Sequence, residues 1–371
     1  MSHFTVAVIT PGPAAPTEQD LSRALQPYHE YECTGVLDQY VVQVDRTEEA
    51  RSEFENYTVT RYRDQDGTLH DAYADCFYRE FTEEERQKHG PMLGTGGGGG
   101  LSWTSKDWRD GKGYRAKAHF IPDGFESVEV PASSVMTLRE FIPYYYGYDQ
   151  EIVGTDSDSE EVTGNFVQVT SLKPEGEVVR VVQLTNPNKK WDWWTVGGRW
   201  RGLLQDRQGG KHDQLQVGNL DVAGRIEAGV AQAMHDWDRL RKAMQGLEFR
   251  TMEQCLGDTE NASESEREAA RKAYWDQPAM TVFKNFDSNY RISKQLDIMS
   301  MECEEYINMA ACGSMTTFAY VKDDEWHQKG DMGWFGMSSD EMPKGVWEKQ
   351  WLEMVLDLPP ESWITIVDCH I

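Results

Sequence analysis

The sequence ends in Asp368-Cys369-His370-Ile371 and carries His3 near its start. Asp, Cys and His side chains bind transition metals, and they also build proton-shuttling nucleophile sites. If the apolar segments that bear them pair as antiparallel strands, the start of one lies beside the end of the other. His3 then meets Asp368, Cys369 and His370 in a candidate metal cluster, whereas parallel pairing separates them. A Cys369–His370 nucleophile pair with an Asp orienter is harder to build, because neighbouring side chains on a strand point to opposite faces. The plainer reading packs Cys369 as a small apolar residue, lets His370 hydrogen-bond, and ties both ends into a sheet.

Two more polar clusters could do chemistry. In Tyr28-His29-Glu30-Tyr31-Glu32-Cys33, an extended backbone puts His29, Tyr31 and Cys33 on one face and Glu30 and Glu32 on the other. Close carboxylates push their pKa values apart and can share a proton or a divalent ion, while a solvated strand edge asks for neither. Further along, Asp206, His212, Asp213 and Asp221 could hold Mg²⁺ and activate water. They also suit a turn at Gly209-Gly210 and a helix N-cap at Asp221. The candidate catalytic residues are therefore His29, Glu30, Glu32, Asp213, Cys369 and His370. The candidate ligands of a divalent metal are His3, Asp368, Cys369 and His370.

Four of the thirteen tryptophans fall in Lys190-Trp191-Asp192-Trp193-Trp194-Thr195-Val196-Gly197-Gly198-Arg199-Trp200. Rings and guanidinium groups stack on flat ligands, so Trp191, Trp193, Trp194, Arg199 and Trp200 are candidate ligand-binding residues, with a nucleotide as the fitting ligand. An extended backbone puts Trp191, Trp193 and Thr195 on one face, with Asp192 and Trp194 opposite. Large aromatics on both faces equally describe a strand buried on both sides. Gly197-Gly198 permits a close backbone approach in either case. The stretch Asp323–Gly336 pairs aromatics with glycines again, with His327 as a candidate base inside a turn-rich loop. Gly96 to Gly100 lacks the Gly-Lys-Ser/Thr ending of a phosphate loop and reads as a loop or lid.

These residues need a frame. Residues 4–9 form an apolar run stopped by Thr10-Pro11-Gly12-Pro13, and Trp363–Val367 forms a second such strand. Thr17 caps a helix over 18–26, with Asp20 in its first turn. Residues 39–44, 165–172, 178–184 and 315–321 read as strands, the middle two as a hairpin around Glu175-Gly176. Apolar residues recur at helical spacing from about Val222 to Gly246, with further helices over 302–311 and 345–357. The box Ser265–Glu268 starts another helix, which stops before Pro278. The expected architecture is α+β: a mixed or antiparallel sheet containing both terminal strands, packed with amphipathic helices. Residues 1–47 and 162–371 make the main body, and 48–161 make an inserted, loop-rich region.

Composition narrows the function classes. Sixty-three acidic against thirty-seven basic residues give a net charge of −26. Such a surface repels phosphate backbones and argues against duplex DNA as a partner. It also suits a protein that imitates nucleic acid to occupy a basic site. No segment has the long apolar run of a membrane span, and six cysteines without a Cys-x-x-Cys pair suit reduced thiols in the cytosol.

Three blocks, Met1–Val6 with Pro27–Gly35, Lys190–Gly202, and Ile366–Ile371, resemble a set of uncharacterised bacteriophage and bacterial proteins, and Gly333–Gly336 fits them too. The resemblance implies a phage or prophage setting and one fold holding both ends, and it implies no activity. The leading expectation is a cytosolic accessory protein that binds a host protein or a nucleotide, in host takeover or counter-defence. The alternative is a metal-assisted hydrolase or transferase acting on nucleotides or nucleic acid.

Overall fold

A computed structural model describes residues 2–79, 82, 84, 101–102, 117–147, 149–154, 167–257, 262–286, 292–333 and 336–371. Gly96–Gly100, the acidic run 156–161, Trp334 and Phe335 lie outside these residues. The protein is α+β and divides into two compact units, Met1–Thr34 with Asn186–Ile371, and Gly35–Thr185. No helix of the described residues is long and apolar enough to cross a membrane.

The first unit is organised on its two terminal strands. β1 (His3–Thr10) and β6 (Trp363–His370) pair antiparallel from His3↔His370 to Thr10↔Trp363. Both are apolar through their middles because both faces are covered. β4 (Ala319–Lys322) runs parallel to β1 on its other side, and β5 (Glu325–Gln328) completes that edge. β6 is flanked on its far side by β2 (Trp193–Val196) along one half and β3 (Gln214–Gln216) along the other.

Strand alternation sorts the residues between two cores. Phe4, Val6, Val8, Val367 and Cys369 face α1 (Glu18–Leu25), meeting Leu21, Leu25, Tyr28 and Trp191. Thr17 caps α1 as expected, and the structure adds a reciprocal box in which Asp20 accepts from the Thr17 backbone. Ala7, Ile9, Ile364 and Ile366 face α4 (Val346–Asp357), whose Trp347, Trp351 and Val355 lie at helical spacing. Both indoles are anchored on Thr317, Trp347 Nε1 donating to its carbonyl at 2.7 Å and Trp351 Nε1 to its hydroxyl at 3.0 Å. Towards the His3 end the second face turns from apolar to polar: Thr5, Asp368, His3 and His370 follow Ala7 and Ile366. A helical layer is built on α2 (Val222–Ala243), which packs Ala233 and Leu240 with Phe283, Ile298 and Tyr306. Asp221 caps α2 by accepting from Gly224 N at 3.0 Å. α3 (Glu264–Trp275) is capped by Ser263 with Glu266, not by Ser265 with Glu268. Both boxes satisfy the same pattern, and the helix starts at the earlier one.

The second unit is longer at each end than residues 48–161. Val42–Asp45 pairs with Val178–Thr185, which continues to Gln168–Leu172 and Asp149–Val153. Ala50 and Ile142, from the helices Thr47–Asn56 and Leu138–Tyr146, pack on Leu172, Val178 and Val181. A smaller sheet joins Leu69–Asp71, Thr58–Arg63 and Glu126–Pro131.

Candidate active site

At the polar end of the central sheet, the register puts His3, His370 and Trp193 in one row and Thr5, Asp368 and Thr195 in the next. Both rows lie on the face away from α1. His3 Nδ1 is 2.9 Å from Asp368 Oδ1. His370 Nδ1 is 2.7 and 2.8 Å from the two oxygens of Asp192. The imidazoles stand edge to face with centroids 4.9 Å apart. Trp193 stacks on His370 at 5.1 Å and 15°, and meets His3 edge-on at 5.2 Å. Asp368 is 2% and His370 6% exposed, whereas Trp193 is 43% exposed. Two Asp–His pairs therefore stand side by side beneath an open indole.

With each Nδ1–H given to a carboxylate, the tautomer is set and Nε2 becomes the atom that takes or gives a proton. Neither Nε2 has a hydrogen-bond partner among the described residues. A buried carboxylate also stabilises the imidazolium formed during proton transfer.

A glycine loop completes the site. Arg199 N donates to Asp368 Oδ2 at 3.0 Å, and Gly202 N to Asp213 Oδ1 at 2.5 Å. Gly197 and Gly198 have φ of +71° and +51°. A Cβ on Gly197 would meet the Asp213 carboxylate, and one on Gly198 would meet Asp368. Only glycine permits both the backbone sign and the approach. The exposed side chain of Arg199 stems from the same residue whose backbone N holds Asp368.

The structure thus brings together His3, Asp368 and His370, the group expected from antiparallel pairing, but not as a metal site. Cys369 is 0% exposed on the opposite face, where burial raises its thiol pKa well above the usual range. Among the described residues no three His, Cys, Asp or Glu side chains gather as a metal ion requires. Both Nδ1 atoms are spent on carboxylates, and strand alternation removes Cys369 both as a ligand and as a nucleophile beside His370.

The tryptophan motif divides. Trp191 is buried, and its Nε1 donates to Leu25 O at 3.0 Å. Trp194 packs on the same α1-side core, and Trp200 on the α4-side core. Trp193 alone of the four opens to solvent. The expected alternation from Trp191 fails because the chain bends at Asp192 before β2 begins, so Trp191 and Trp194 share a side. That bend also swings Asp192 to His370, a partnership that a uniform strand hides.

The other candidates sit in supporting roles. Residues Tyr31–Thr34 form a helical turn, not an extended edge, so the alternation drawn for His29, Glu30 and Glu32 does not apply. His29 is buried with Nδ1 2.8 Å from Thr34 Oγ1, and Lys189 Nζ joins Glu32 at 2.6 Å and Glu30 at 3.5 Å. Asp213 braces the glycine loop. Asp206 takes His212 Nε2 at 2.7 Å inside the Gly209-Gly210 turn, and this bond holds its carboxyl below the usual range. His327 stacks on Tyr320 at 4.6 Å. Ser2 Oγ donates to Gly333 O and accepts from Gly336 N, so the flanks of the Gly333–Gly336 segment lie beside the residue before His3.

Comparison with family models, with curated proteins and with solved structures gives no match. The chemistry of the site therefore rests on its geometry.

Proposed function

We propose that this chain is a hydrolase or transferase acting on nucleotides or nucleic acid, with His3 and His370 as its acid–base pair. The carrying observation is the pair of carboxylate-held imidazoles under one exposed indole. Cleaving a phosphoester needs a proton removed from the attacking hydroxyl or water and a proton given to the leaving oxygen. Two adjacent Nε2 atoms supply one of each, an arrangement worth about 10²–10⁴ in rate per group. Trp193 offers a stacking platform for a base, and Arg199 a guanidinium for phosphate. The net charge of −26 favours a small or single-stranded ligand that inserts locally over a duplex that must lie along the surface. The resemblance of the terminal blocks and the Lys190–Gly202 segment to phage and bacterial proteins supports a setting in the cytosol of an infected or prophage-bearing bacterium. There such an activity would serve host takeover or counter-defence.

The test is a panel of nucleoside mono-, di- and triphosphates, cyclic nucleotides and short single-stranded RNA and DNA, read by chromatography of products. One class should be converted by the wild type and spared by His3→Gln and His370→Gln. Conversion unchanged in both variants refutes the reading. If no substrate is converted and a basic host protein is captured in a salt-sensitive complex, the acidic surface is the working part instead.

A further inference from the structure

The second unit contains a thiol, an imidazole and a carboxylate in the order of a nucleophilic triad. The strands Thr58–Arg63 and Leu69–Asp71 are joined by a turn built on Asp64. Asp64 Oδ1 accepts from Asp66 N at 3.0 Å and Thr68 N at 2.8 Å, leaving Oδ2 to take His70 Nε2 at 2.8 Å. These bonds, His70 first, hold the Asp64 carboxyl below the usual range. With Nε2–H committed to Asp64, Nδ1 is the basic nitrogen of the neutral ring. It lies 3.8 Å from Cys76 Sγ, within reach of a sulfur hydrogen bond. The ring is wedged edge-on against Phe125 at 5.4 Å and the buried Phe77 at 6.1 Å. Cys76 itself is exposed, on a short turn fixed by Tyr73 N to Asp71 Oδ1 at 2.9 Å and Phe77 N to Ala74 O at 2.9 Å.

A turn needs Asp64, and a hairpin can use His70 to brace it. Neither requires the free nitrogen of that ring to face an exposed thiol. We infer that Cys76, His70 and Asp64 form a second reactive centre, independent of the His3–His370 site, that accepts acyl groups from esters or thioesters. Cys76 Sγ bonds to the acyl carbonyl carbon as its proton passes to His70 Nδ1. Collapse of the adduct breaks the bond to the alcohol or thiol, which leaves with that proton. Water, giving a proton to the same nitrogen, attacks the thioester and returns the thiol with release of the carboxylic acid. Asp64 is a positioning residue that keeps Nδ1 turned to the sulfur.

The remaining cysteines are internal controls, because Cys303 is also exposed and has no histidine contact among the described residues. The whole protein is treated with iodoacetamide near neutral pH, and alkylation is followed at each cysteine by peptide mass spectrometry. Cys76 should react about tenfold or more faster than Cys303, and His70→Gln should abolish the advantage. Asp64→Asn keeps an oxygen for the turn and should lower the advantage, with circular dichroism unchanged. With p-nitrophenyl acetate, the wild type should show a burst of p-nitrophenol and an acetyl group on Cys76, both lost in Cys76→Ser. Equal alkylation of Cys76 and Cys303, or an advantage that survives His70→Gln, overturns the assignment. So does a burst that persists in Cys76→Ser.

Discussion

Replacing Gly198 by alanine should damage the site from the backbone outward. Its φ of +51° costs an L-residue about 1 kcal/mol. The new Cβ would lie 2.8 Å from Asp368 Cγ and closer still to its Cβ and Oδ2. Asp368 cannot yield, because β6 is held by β1 on one side and by β2 on the other. The loop must lift instead, breaking the Arg199 N–Asp368 bond, and a hydrogen bond to a buried carboxylate is worth about 1.5–3 kcal/mol. The expected loss is about 2.5–4 kcal/mol. Gly209 is the control: its φ is +85° and a Cβ there would have nothing within 4 Å, so Gly209→Ala should cost only about 1 kcal/mol. Urea unfolding followed by tryptophan fluorescence reads the first unit, since Trp103 and Trp108 are the only tryptophans outside it. If the two variants unfold within about 0.5 kcal/mol of each other, the proposed tie between loop and carboxylate is wrong.

Other perturbations separate packing from chemistry. Trp193→Ala should cost at most about 1 kcal/mol of stability, yet weaken nucleotide binding about tenfold or more by isothermal titration calorimetry. Trp191→Phe should do the reverse, losing about 1–2 kcal/mol in urea unfolding with the buried hydrogen bond to Leu25 O while leaving nucleotide affinity intact. In the second unit, burial raises the Asp149 carboxyl to about 6 despite the hydroxyl of Thr170 donating to it. The folded state therefore holds this proton more tightly than the unfolded chain, and its contribution to stability falls as pH rises through about 4 to 6. Asp149→Asn should raise stability by about 1 kcal/mol at neutral pH, with solvent screening allowed for, and by nothing near pH 4; thermal melts by circular dichroism at both pH values check it.

Much of this frame can be read from the residues. The apolar runs at 4–9 and 363–367 need cover on both faces, and their antiparallel pairing alone brings His3 to His370. Alternation then decides which neighbours share a face, and it excludes Cys369. What alternation cannot show is where a strand bends. At Asp192 the backbone leaves the strand pattern, and one residue of phase decides whether Trp191 joins Trp193 or Trp194. Asp64, His70 and Cys76 were hidden for a related reason. Their meeting depends on a hairpin turn and a separate short turn, each set by local backbone hydrogen bonds that leave no period in the sequence. The choice between Ser263 and Ser265 as cap fails more simply, since two overlapping boxes carry the same residues.

The most direct measurement is the rate of nucleotide conversion by wild type, His3→Gln and His370→Gln across pH, on whichever substrate of the panel is turned over. A bell-shaped wild-type profile is expected, with each variant slower by about 10²–10⁴ and missing one limb of the bell. Folded variants that keep the wild-type rate and profile would contradict a catalytic pair at His3 and His370.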